Sequence, residues 1–419
     1  MSTDHRDALS STRGGRGIGR REFLAGGLAA TSLLATGITL PGFLARTARA
    51  ALPALDDRIL VVIQLTGGND GLNTVIPYED DRYHTARPTL RVPSASVLRL
   101  GREGLGLQPS MTGMKDLYDR GLLSVMTNVG YPNPDRSHFR SMDIWHTAST
   151  SPEGREDGWL GRVVDLTARD GSPPPALVLD STALPLAVKA RTQSVPAVSN
   201  IDSFRLGEVG EGVSSAIGSV RRSATDDLLF VQRTMVESVS SARRIESVVT
   251  ESRSSRSYPN YGLASRLWQI ENLIGAGFGA RVYYTSLDGF DTHSKQSLVH
   301  EPLLRELSDS LAAFMAGLEA RGLQDRVLVL TYSEFGRRVR ENGSQGTDHG
   351  AAAPMFLAGG ACLPGVTGGK IDLADLDDGD VRHRIDFRCV YAAVLQSWIG
   401  VDPARVLEGH FEPAGIFRG

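Results

Sequence analysis

Four apolar runs, each ending in a short polar loop, limit what this chain can fold into. Ile59-Leu60-Val61-Val62-Ile63-Gln64-Leu65 is almost wholly apolar, and Leu122 to Val129, Arg281 to Leu287 and Val327 to Tyr332 are of the same kind. Such runs suit strands buried on both faces, the condition of a central, mostly parallel sheet. Helical periods lie between and after them. Leu304, Leu307, Leu311, Phe314 and Leu318 recur at three and four, and Val390, Val394 and Trp398 do so after Asp386. The alternation predicts an α/β fold. Residues 213–251 show a further helical period, and Ser252 to Ser257, made only of Ser and Arg, resembles a linker. Residues 51–419 are expected as one domain, with a helical insertion at about 150–275 that covers or flanks the site.

The N-terminal 50 residues have the form of an address rather than of a fold. Arg20-Arg21-Glu22-Phe23-Leu24 is a twin-arginine pattern, an uncharged stretch runs to Leu44, and Ala48-Arg49-Ala50 has the form of a signal-peptidase site. A lone membrane anchor is the alternative, but Gly26, Gly27, Gly37, Pro41 and Gly42 dilute the stretch. The expectation is export by the twin-arginine machinery to the periplasm, cell wall or exterior, with membrane contact only through the signal. The segment carries seven Arg against Asp4, Asp7 and Glu22, a net of +4; subtracting this from the whole-chain charge of -3 leaves -7 for the remainder. An acidic mature surface argues against nucleic acid as a partner. Two cysteines, Cys362 and Cys389, are too few for a disulfide scaffold, although they can pair in an oxidising compartment.

Candidate chemistry falls at the carboxyl ends of the four runs, where open α/β sheets bind ligands. Thr66-Gly67-Gly68-Asn69-Asp70-Gly71 follows the first run; taken alone it is more simply a glycine turn than a ligand site. Arg136-Ser137-His138-Phe139 follows the second and leads into a helix, which places Ser137 as an N-cap or as a nucleophile toward an anion, with Arg136 as a clamp. Asp291 and His293 follow the third. After the fourth come Glu334 and a glycine-rich loop ending in Asp348-His349. Carboxylates and imidazoles at strand ends suit a divalent metal, zinc first, with manganese or calcium as alternatives. His84, His146, His300 and His410 are read as surface or core residues, and His383 as a solvated cap.

Together, Gly67-Gly68-x-Asp70-Gly71-Leu72-Asn73-Thr74, Arg136-Ser137-His138-Phe139, Gly289-Phe290-Asp291-Thr292-His293-Ser294, Ser333-Glu334-Phe335-Gly336-Arg337 and Gly346-Thr347-Asp348-His349-Gly350 resemble the exported bacterial "domain of unknown function 1501" family. That family is similar to the alkaline-phosphatase-like superfamily of phosphatases, sulfatases and phosphomutases. The resemblance implies a three-layer α/β/α sandwich. It implies one or two metal ions held by Asp70, Asp291, His293, Glu334 and His349, with Ser137 as nucleophile. Phe335 stands where the superfamily has a metal-binding histidine. An aromatic ring cannot coordinate, so the resemblance implies that one of two sites is incomplete unless Asp348 substitutes. The implied function is metal-dependent hydrolysis of phosphate or sulfate esters, small or polymer-linked. The alternative is a non-catalytic binding or assembly protein that retains the fold.

Overall fold

The computed structural model describes residues 58–101, 104–169, 174–180, 184–199 and 257–418. The signal segment, the 213–251 helical region and all but the last residue of the Ser252–Ser257 linker lie outside the described residues. The main sheet is built from β1 (Ile59–Thr66), β2 (Leu123–Gly130), β3 (Ala176–Leu179), β4 (Ala197–Val198), β5 (Val282–Asp288), β6 (Val327–Tyr332), β7 (Ala353–Ala358), β8 (Gly365–Thr367) and β9 (Ile385–Asp386). Its order is β8-β2-β7-β6-β1-β5-β3-β4, with β9 beside β2. β1 runs parallel to β5 and β6, while β7 is antiparallel to β6 and β2.

Side-chain alternation along β1 explains the layering. Val61, Ile63 and Leu65 enter one core with Met114 and Leu117 of α1 (Thr112–Asp119), Leu263 and Ile270 of α4 (Gly262–Gly275), and Leu304, Leu307 and Phe314 of α5 (Ser297–Ala320). Leu60 and Val62 face the other core, with Trp145 of α2 (His138–Thr147), Leu160 and Val163 of α3 (Trp159–Thr167), and Val390 of α6 (Phe387–Ala393). Two buried faces per strand account for the unbroken apolar runs. Part of the stretch expected as a helical insertion belongs to this framework: β3 and β4 extend the sheet and α4 covers one face. Both cysteines are free, and burial pushes the Cys362 thiol up to about 11. Among the described residues, no helix is long and apolar enough to cross a membrane.

Parallel register brings the strand-end loops side by side, since Thr66 pairs with Asp288 and Gln64 with Tyr332. The loop after β1 is pinned from below. Both Asp70 oxygens are taken by Arg87, at 2.5 and 2.9 Å, and Gln296 donates to one of them. Asp70 and Arg87 are wholly buried. Arg87 also donates to the carbonyls of Val339 and Arg338, tying the loop to the chain beyond β6. Burial works to raise the Asp70 carboxyl, but the charge and hydrogen bonds of Arg87 outweigh it and hold the group below its ordinary value.

Removing one partner of a buried pair strands the other charge. Asp70→Asn is therefore expected to lower unfolding stability by about 3–5 kcal/mol at neutral pH. A carboxyl whose folded pKa is depressed contributes stability that is present above the unfolded value, 3.8, and fades as pH falls through the lower folded value. The gap between wild type and variant should accordingly close in that acid window. Urea titrations at neutral and acid pH measure both, and a neutral-pH loss under about 1 kcal/mol, the scale of an exposed pair, would remove the pinning role.

Candidate metal centre

Three imidazoles meet above the sheet. His138 is the first residue of α2, His293 follows β5, and His349 ends the loop that joins β6 to β7. Each ring has its Nδ1 against an acceptor: Glu334 Oε1 at 3.0 Å for His138, the Arg136 carbonyl at 2.7 Å for His349, and Asp348 Oδ1 at 3.3 Å for His293. Those atoms accept, so each Nδ1 donates and the Nε2 of a neutral ring carries the lone pair.

The Nε2 atoms converge on one carboxylate oxygen. Asp291 Oδ1 lies 3.4 Å from Nε2 of His138, 3.3 Å from that of His349 and 3.0 Å from that of His293. The His293 and His349 Nε2 atoms are 2.9 Å apart. Lone pairs set against each other and against a carboxylate repel unless positive charge lies among them, as protons or as a metal ion. His138 Nε2 is buried with no hydrogen-bond partner, a costly condition for a polar atom. Ligand atoms of His138, Asp291 and His349 all lie within 4.8 Å of one another. Imidazole nitrogens with a carboxylate form a zinc-type donor set, so the residues fit the ion.

Charge around the centre is set by its neighbours. Burial pushes the Asp291 carboxyl up, but the hydrogen bond and charge of Arg337 outweigh it and hold the group at about 2. The hydrogen bond to Glu334 raises His138, whereas burial lowers His349. Arg337 is fully buried and serves five acceptors: the carbonyls of Gly67, Gly68, Phe290 and Thr347, and Asp291 Oδ1 at 2.7 Å. Phe335 packs its ring 4.8 Å from that of His138 and 4.6 Å from that of His349. The ring fits because Gly68, at φ +77°, has no Cβ; one placed there would come within 2.2 Å of it.

The sequence candidates divide accordingly. Asp291, His293 and His349 come together. Glu334 and Asp348 stand behind rings, and Glu334, wholly buried, also accepts the Gly67 N–H at 2.8 Å. Asp70 is committed to Arg87 and Gln296. The Arg136 guanidinium, expected as an anion clamp, is bonded to Asp380 and Asp378 of the Leu376–Val381 hairpin, and the residue reaches the centre through its carbonyl. Ser137 is exposed at the N-cap of α2, and its side chain makes no capping hydrogen bond.

The sequence profile of the family described as protein of unknown function (DUF1501) matches residues 121–413. The chain belongs to this family. No curated protein shows significant sequence similarity to it. Solved structures to which it is similar include the C-terminal periplasmic domain of EcEptC from Escherichia coli in complex with zinc, at TM-score 0.37 and 10% identity, covering 72% of this chain and 73% of that one. The PsFucS1 sulfatase from Pseudoalteromonas sp. gives TM-score 0.38 and 10% identity over 82% and 68% of the two chains. Alkaline phosphatase from the Antarctic bacterium TAB5 gives 0.33 and 9% over 72% and 91%.

In this DUF1501 chain two residues of the centre carried no role in the sequence reading. His138 stands next to Ser137 in a strand-end loop, the same signal that marks His293 and His349, but the order of the two residues does not say which side chain turns to the centre. Arg337 gave no signal beyond being a cation at the end of an apolar segment. Partners that orient a ligand imidazole are worth about 10–100-fold in metal affinity. Glu334→Gln is therefore expected to weaken zinc binding by about that factor, measured by competition with a chelating dye. Unchanged affinity would leave Glu334 only the task of holding the Gly67 N–H.

Proposed function

We propose that this protein is a metal-dependent hydrolase of phosphate or sulfate esters that works outside the cytoplasm. The observation that carries the reading is the convergence of three imidazole Nε2 atoms on Asp291 Oδ1. His138, His293, His349 and Asp291 would hold one ion. A second is not supported, because Phe335 offers no donor and Asp70 is tied to Arg87. Zinc suits the donor set best, with manganese or calcium as alternatives. When bound, the ion supplies a Lewis acid beside an ester oxygen.

The chain's own residues supply the rest. Ser137 lies between Arg136, whose carbonyl orients His349, and His138, so its position follows that of the centre. Its hydroxyl is the candidate nucleophile: Oγ gives up its proton and bonds to phosphorus or sulfur, the ester bond to the alcohol oxygen breaks and that oxygen takes up a proton, and water then hydrolyses the seryl ester, releasing the anion and restoring the hydroxyl. The free N–H groups of the first turn of α2 favour negative charge there. Phe335 gives the centre an apolar floor. Location outside the cytoplasm rests on the twin-arginine segment at Arg20-Arg21.

A second reading, a non-catalytic binding or assembly protein on the same fold, draws on the Arg136 guanidinium being occupied by Asp378 and Asp380. The two readings separate by experiment. Elemental analysis of the exported protein is expected to give near one equivalent of metal, lost in His349→Ala. Ser137→Ala is expected to keep the metal and fold while losing phosphate or sulfate ester turnover by at least about 100-fold. Full turnover in that variant removes the nucleophile role, and a metal-loaded wild type without turnover on either ester class favours the second reading.

A further inference from the structure

A cavity of about 700 Å³ lies against the outer side of the centre. Asp348 belongs to its lining and also faces His293 Nδ1, so the cavity and the centre share a wall. The volume falls in the range of small-molecule sites and exceeds what one phosphate or sulfate needs. Its charged lining divides by commitment. Arg338 is held by Asp378 and Asp380 of the hairpin and belongs to the frame. Glu341 accepts the N–H groups of Thr89 and Leu90. Arg340 is exposed and makes no side-chain hydrogen bond or ion pair among the described residues. Arg82 has 62% of its side chain exposed and, among the described residues, its guanidinium reaches only Asp80, at 3.4 Å. Two guanidiniums with donors to spare face a cavity whose further polar groups, Asp81 and Thr85, can accept hydroxyls.

We propose that this cavity binds the alcohol part of the ester, and that this part is a polyhydroxy compound carrying a second phosphate or sulfate group. Arg340 and Arg82 take the second anion while the first lies at the centre. The proposal rests on the hydrolase reading for its link to catalysis. The binding itself needs neither turnover nor metal. Guanidinium pairing with an anion is strong and directional, so loss of one partner is expected to cost about tenfold in affinity.

Calorimetric titration of the metal-stripped and metal-loaded protein tests it, with glucose 6-phosphate, glucose 1,6-bisphosphate and a disulfated disaccharide as probes. The expected result is binding of a doubly charged probe at least about tenfold tighter than glucose 6-phosphate in the stripped protein. That preference should be lost in Arg340→Ala and reduced in Arg82→Ala. A preference confined to the bisphosphate or to the disulfate names the anion. Equal affinity for all three probes, or a preference that survives both substitutions, overturns the proposal. A stripped protein that keeps the preference while the loaded enzyme turns over no ester would sink the hydrolase reading and leave the cavity assignment standing.

Discussion

The site depends on one buried guanidinium. Arg337 leaves the end of β6 and reaches the loop after β1 through two carbonyls, the loop after β5 through Phe290 and Asp291, and the loop before β7 through Thr347. Loops at sheet ends have no ladder of their own, and their inward carbonyls need donors. A planar group with five N–H donors in a fixed fork can serve all of them at once, which an ammonium on a flexible stem cannot. Its charge also keeps Asp291 ionised beside three imidazoles.

Around that anchor, each histidine is aimed by a partner of a different kind. A buried carboxylate turns His138, a backbone carbonyl turns His349, and an exposed carboxylate turns His293. The result is a donor set facing inward, with an aromatic floor where a further ligand would otherwise stand. Phe335 and Asp70 thus bear on the same question. One cannot ligate, and the other is engaged by Arg87 below the loop.

Much of the framework was legible in the sequence because burial on both faces leaves an unbroken apolar run that periodicity detects. Ile59–Thr66, Leu123–Gly130, Val282–Asp288 and Val327–Tyr332 each lie within one residue of the expected runs. β3 and β4 were not legible: they are short, at the sheet edge, and embedded in a loop-rich stretch. Of the site, the positions at strand ends were visible, but not which side chains turn inward. His138 and Ser137 are adjacent, and nothing in their order says which faces the other imidazoles.

The sequence by itself determined the α/β class and the placement of polar chemistry at the ends of parallel strands, since both follow from hydrophobic period and the short length of the loops. The division of labour among the carboxylates was decided only in the tertiary structure. Asp70, Asp291, Glu334 and Asp348 all stand in strand-end loops and are equivalent as letters. Arg87 claims the first, His138 and the Gly67 N–H the third, and His293 the last, while Asp291 alone presents an oxygen to all three Nε2 atoms. Partners from 46 to 267 residues away in the chain settle roles such as those of Asp291 and Glu334, and local pattern carries no record of them.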